Sequence, residues 1–86
     1  MEDFSLRAFS SLPRLKLMIC LGRGEKSVSE LIEVCNLSQS AVSQHLRKLK
    51  LWNLVESHKE GRIVFYKLKN KKAAELSRKI LDFLKK

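Results

Sequence analysis

Along this chain, apolar residues recur first at helical spacing, then at strand spacing, then at helical spacing again. Phe4, Ala8, Phe9 and Leu12 mark a short opening helix. Pro13 suits the first turn of a second helix, where its missing N–H leaves no bond unmade. Leu15, Ile19 and their apolar neighbours bury that helix, and the stretch Gly22, Arg23, Gly24 ends it. Ser27, Val28, Ser29 and Glu30 fit a capping box, with Ser27 as N-cap and the Glu30 carboxylate reaching back to it. The box opens a third helix with Leu31, Val34 and Cys35 on its inner face. Asn36, Leu37 and Ser38 form a short break, and Ser38 caps a fourth helix running from residue 39 to about 51.

The period then drops from 3.6 to 2. Residues 54–59 and 62–68 read as two strands joined by a turn at Glu60 and Gly61. Ile63, Val64, Phe65 and Tyr66 have the β-branched and aromatic composition of a strand. From Asn70 onward the helical period returns, with Ala73, Leu76 or Ser77, Ile80 and Leu84 in a stripe that Leu81 and Phe83 widen. The expected fold is mainly α with a small β-hairpin (α+β), in the order α-α-α-α-β-β-α, as one domain over residues 1–86. Two short helices around a tight break, followed by a basic hairpin, describe a winged helix-turn-helix.

Length and composition narrow this further. Eighty-six residues support one core, and pairing two copies would bury more apolar surface than one chain can alone. Glu2 and Asp3 stand where a secretory signal would be basic, and no run approaches the roughly 18 apolar residues of a membrane span. A soluble, cytoplasmic protein with no membrane partner is expected. The net charge is +9, unevenly spread. Residues 1–37 carry five basic and five acidic side chains, whereas residues 38–72 carry nine and two. A basic segment beside a neutral one suits a polyanion, although a solvated lysine-rich face gives the same totals.

The fourth helix is the most specific feature. Val42, Leu46 and Leu49 fall on one face, while Ser40, Ser43, Gln44 and Arg47 lie in a stripe on the other. Hydroxyls, an amide and a guanidinium can all hydrogen-bond base edges in a major groove, where each base pair shows a distinct pattern. Gln39 and Ser40, at the N-terminal end, should enter most deeply. Candidate base-reading residues are therefore Gln39, Ser40, Ser43 and Gln44. Ser38, His45, Arg47 and Lys48 on or beside this helix are candidates for phosphate contacts, with Lys50 close by. Lys59 and Arg62 flank the hairpin tip, with Glu60 weakening that patch. Trp52 is expected to anchor the junction between helix and hairpin.

The stretch LSQSAVSQHLRKLKLWNLV followed by EGRIVFYKL resembles the ArsR/SmtB family of winged-helix repressors. SSLPRLKLMICL and SVSELIEVCNLSQS, upstream, fit the same family in order and spacing. The resemblance covers about residues 5–70. It implies a homodimer joined through its first and last helices (about residues 3–12 and 70–85), bound to an imperfect inverted repeat in double-stranded DNA and usually repressing.

It also raises the question of a sensor. One family metal site uses a Cys-x-Cys pair where this chain has Ser27, Val28 and Ser29, and hydroxyls are poor ligands for soft metals. Another uses Asp, His and Glu of the last helix, but residues 70–86 contain no histidine. His45 falls at the edge of the packed face and His58 in the hairpin, with no ligand partner beside either in sequence. A subgroup senses oxidation through a disulfide between the second and last helices; Cys20 lies near the first position, but the last helix has no cysteine. Cys20 and Cys35, fifteen residues apart, are read as buried structural thiols whose separation the sequence leaves open. No cofactor, metal or small-molecule effector is expected. No nucleophile–base set, phosphate loop or paired carboxylates point to an enzyme. The alternatives left open are an architectural or nonspecific nucleic-acid binder and a protein-interaction module on the same scaffold.

Overall fold

Three serines set where the chain turns into helix. Ser11 accepts from the N–H of Arg14 (3.4 Å), Ser27 from Glu30 (3.2 Å) and Ser38 from Ala41 (3.1 Å). Each satisfies an orphan donor of a first turn. At Ser27 the box closes, since its own N–H donates to Glu30 Oε1 at 2.8 Å. The computed structural model describes residues 4–85, with side chains from Leu6 onward, so the place of Phe4 on the opening stripe lies outside the described side chains.

Among the described residues the elements run α1 (Phe4–Ala8), α2 (Leu12–Leu21), β1 (Lys26–Ser27), α3 (Val28–Cys35), α4 (Gln39–Leu51), β2 (Val55–Glu60), β3 (Ile63–Leu68) and α5 (Lys72–Leu84). The class and order match the expectation, with one addition. Lys26 and Ser27 pair with Tyr66 and Phe65, which makes a three-stranded antiparallel sheet in the order β1-β3-β2. Two residues are too few to show a period, so this strand left no signal in the sequence.

The central helix is α2, with Leu15, Leu17, Met18 and Leu21 all essentially buried. Leu31 from α3, Val42, Leu46 and Leu49 from α4, and Val55 at the base of the hairpin complete the core. Against α2 on the other side lies α5, and the contact is close because its residues are small. A methyl group added at Gly22 would sit 2.4 Å from Ala74 Cβ, far inside non-bonded contact distance. Ser77, not Leu76, takes the buried place in the α5 stripe; its hydroxyl donates to Ala73 O at 2.7 Å, while Leu76 remains 46% exposed.

Other positions depart from the simple periodic pattern. Leu12 belongs to the first turn of α2, not to α1, and is exposed. Val34, expected on the inner face of α3, is 54% exposed; only Leu31 and Cys35 are buried there, with Ile32 partly so. α3 ends at Asn36 in the left-handed region (φ 55°), which asparagine tolerates better than most residues. The hairpin turn lies one residue later than expected, at Gly61 and Arg62 between the facing pair Glu60 and Ile63. Gly61 has φ +62° and Arg62 does not share the positive sign, the pattern of a II′ turn with glycine first. The last helix begins at Lys72, whose N–H donates to Asn70 Oδ1 at 2.9 Å.

Candidate nucleic-acid interface

The helix-turn-helix is α3, the Asn36–Ser38 break and α4; β2 and β3 form the wing. Packing fixes which way α4 faces. Val42, Leu46 and Leu49 are wholly buried, so the opposite side of the helix must face solvent. Ser40, Gln44 and Arg47 are exposed there, with Ser43 half-buried at the edge, and Gln39 is exposed at the N-terminal end of the helix. The stripe is continuous and free of carboxylates, as a surface approaching bases and phosphates needs. Ser38 uses its oxygen as the N-cap acceptor, leaving its O–H hydrogen free to donate outward.

Cations surround this stripe unevenly. Lys48 is exposed in the last turn of α4. Lys50 is held instead by the wing, donating to Ser57 Oγ at 2.7 Å, and so braces α4 against β2. At the wing tip Lys59 and Arg62 are exposed, and among the described residues neither is in an ion pair. Glu60 is drawn away from them, its carboxylate 3.4 Å from His58 Nε2. The other ring nitrogen of His58 lies 3.6 Å from Glu25, and the ring stacks on Phe65 at 5.6 Å. His58 is therefore partnered, contrary to its appearance in sequence. The base of the wing is buried through the pair Val55 and Leu68, while Ile63 and Val64 stay exposed near the tip.

Behind α4 lies an arrangement that sequence reasoning missed. Arg14 of α2 is 8% exposed, with its guanidinium 5.1 Å from the centre of the Trp52 ring. Its Nη2 donates to Arg7 O at 2.8 Å, and its Nη1 lies 3.3 Å from His45 Nδ1. Arginine has only donors to offer, so His45 Nδ1 must accept and the ring proton must sit on Nε2. Burial, then the nearby charges of Arg14 and Lys48, hold the His45 imidazole below its ordinary pKa, which keeps it neutral. Trp52 forms the C-cap of α4, half-buried at the entry to the wing. A lone arginine in an apolar helix reads as a solvent-facing charge, and no local pattern reveals three partners on different elements.

Ser27, at the position of the family's thiolate pair, is 9% exposed and occupied in capping α3. Among the described residues no three His, Cys, Asp or Glu side chains converge as a metal-binding group would. No helix among them is long and apolar enough to cross a membrane.

A basic helix-turn-helix with its wing stapled to the same core defines the winged-helix class. Residues 13–57 match the sequence profile of the arsR family of bacterial regulatory proteins, and the chain belongs to that family. It is 40% identical over 83 residues to a protein of Synechocystis named a transcriptional repressor SmtB homolog, covering 96% of this chain and 61% of that one. It is 44% identical over 63 residues to the transcriptional activator HlyU of Vibrio cholerae, covering 73% of this chain and 58% of the relative. The solved structure of that HlyU superposes with a TM-score of 0.80 at 34% identity, covering 96% of this chain and 90% of the other. The repressor BigR of Xylella fastidiosa gives 0.83 at 32% identity, covering 94% and 83%. The named relatives are regulators.

Proposed function

We propose that this protein is a sequence-specific regulator of transcription that binds double-stranded DNA as a homodimer and represses by occupying an inverted repeat. The single observation that carries this is the exposed face of α4, where Ser40, Gln44 and Arg47 stand clear of a helix whose other side is locked into the core, with Gln39 exposed at its N-terminal end. Gln39, Ser40, Ser43 and Gln44 read base edges, while Ser38, His45, Arg47 and Lys48 hold phosphates beside them. His45 has a neutral ring with its proton on Nε2, so it donates one hydrogen bond without adding charge. Lys59 and Arg62 carry the wing to the backbone or the minor groove.

The dimer is supported by the apolar surface that one chain leaves open. Leu6 of α1 and Leu76, Phe83 and Leu84 of α5 are 67%, 46%, 76% and 65% exposed. That is a poor solution for a monomer and an ordinary one for two copies joined through their end helices. A two-fold dimer would place its α4 helices in successive major grooves, about 34 Å apart. Repression, rather than activation, follows the names of the Synechocystis and Xylella relatives; HlyU is named an activator.

Selection from a random duplex pool at near-physiological salt, with competitor DNA, tests this. Enrichment of one inverted repeat, followed by loss of transcription when it overlaps a promoter, is the expected result. Equal, salt-sensitive binding to every duplex would mean an architectural binder instead.

A further inference from the structure

Cys20, in the last turn of α2, and Cys35, the final residue of α3, bring their sulfurs to 3.4 Å. Both are reduced and buried, at 9% and 6% exposure. A disulfide bond is about 2.05 Å long, so the sulfurs need close by only about 1.4 Å to bond. The pair is not sealed in. A groove of about 310 Å³, open to solvent, is lined by both cysteines together with Lys16, Val34 and Leu81. That is ample room for a small oxidant. The exposure of Val34 is what leaves this side of α3 uncovered.

We infer that Cys20 and Cys35 are a reversible oxidation site, converted by a peroxide-class oxidant to an intrachain disulfide that ties α3 to α2 and weakens DNA binding. The effect on DNA rests on the function proposed above; formation of the bond does not.

The chemistry balances within the pair and its oxidant. The Cys20 sulfur attacks one peroxide oxygen as its thiol proton leaves; the S–O bond forms, the O–O bond breaks, and the departing hydroxide takes that proton to leave as water. The Cys35 sulfur then attacks the Cys20 sulfur, and the sulfenic oxygen leaves as a second water. Two electrons pass from the two thiols to the peroxide, and both thiol protons end in water. The order follows from the surroundings. Burial, then the hydrogen bond and charge of Cys20, push the Cys35 thiol up to about 12, so it stays protonated until its neighbour is oxidised. A dithiol reductant reverses the step by exchange.

Position gives the bond its leverage. Cys35 directly precedes the left-handed Asn36, and two residues further on Ser38 caps α4. Drawing Cys35 toward α2 therefore pulls on the short joint that aims the recognition helix. Packed cores respond to such displacements by moving between discrete arrangements rather than by stretching.

The test uses the whole chain, fully reduced, then treated with stoichiometric hydrogen peroxide. A non-reducing peptide map should show Cys20 joined to Cys35 within one chain, with both free thiols gone. Affinity for the selected duplex should fall at least about fivefold, the lower end of ordinary coupling between sites, and return with dithiothreitol. Cys35→Ser should make affinity insensitive to peroxide. Sulfinic acid at Cys20, or disulfides only between chains, would overturn the site. An intrachain bond with unchanged affinity would overturn the switch. Failure of the reduced chain to prefer any duplex would sink the DNA-binding function and the switch with it, while the peptide map would still decide the disulfide.

Discussion

Arg14 and His45 are 31 positions apart in sequence, yet the guanidinium Nη1 lies 3.3 Å from the imidazole Nδ1, and the arginine can only donate. The contact runs from the N-terminal turn of α2 to the middle of α4. Through the Arg7 carbonyl and the Trp52 ring, the same side chain also reaches the end of α1 and the start of the wing. No carboxylate is bonded to this cation among the described residues, and its Nε is buried without a partner.

Removing that hub should loosen the seat of α4. Arg14→Ala is expected to lower stability by about 1.5–3 kcal/mol, the usual range for buried hydrogen bonds to a charged group. Arg14→Lys should not restore it, because an ammonium lacks the planar fork that serves several partners at once. Urea denaturation of the three proteins decides this, and a lysine variant as stable as the parent would refute the hub.

His45 makes stability depend on pH in a defined direction. Its folded pKa is depressed, mainly by burial and then by Arg14 and Lys48, so the unfolded chain binds the proton more readily. The stability that neutral His45 permits is complete above the ordinary pKa near 6.5 and is lost as pH falls below it toward the folded value. Between pH 7 and pH 5 the parent should therefore lose more stability than His45→Gln. Equal slopes in that window would contradict the assignment.

Base and phosphate contacts should separate by their salt dependence. Gln44→Ala is expected to weaken binding to the selected duplex by about 1–3 kcal/mol and to relax base preference. Lys59→Ala or Arg62→Ala should weaken every duplex alike, lowering the salt slope by about one per lost phosphate contact. Undiminished discrimination by the Gln44 variant would remove α4 from the recognition role.

For the dimer, Phe83 is a cleaner probe than Ile80. Ile80 is partly packed on its own core, so a charge there also damages the monomer, whereas Phe83 is 76% exposed. Phe83→Glu should halve the sedimenting mass while leaving the far-ultraviolet spectrum intact. A dimer that survives this change does not use the end of α5.

Gly22 should tolerate no side chain. Its φ of −65° suits any residue, so the obstacle is Ala74 and not the backbone. Gly22→Ala is expected to cost about 1–3 kcal/mol by forcing α2 and α5 apart. Adding Ala74→Gly should recover much of that loss if the contact is the cause.

Where local chemistry decided structure, the sequence was readable. The Ser27–Glu30 box, the Ser38 cap, the β-branched and aromatic strand through Tyr66 and the opposed faces of α4 each depend on neighbours a few residues away, and each is found. What escaped notice depends on the tertiary arrangement. β1 exists because β3 is there to pair with it. Arg14 has partners on other elements, and His58 meets Glu25 across a long gap in sequence. Val34 sits at helical spacing from the core, yet no element covers it. Cys20 and Cys35 are adjacent only once α2 and α3 have docked.

Ser27 belongs at once to the sheet that carries the wing and to the cap that starts α3. Lys50 makes the second tie, from α4 to Ser57. With two struts, the opening between wing tip and recognition helix behaves as a fixed calliper and not as a pair of independent fingers. In the proposed complex a duplex must therefore fit the gauge or bend to it. Flanking base pairs that no side chain touches would then be selected for how easily they deform.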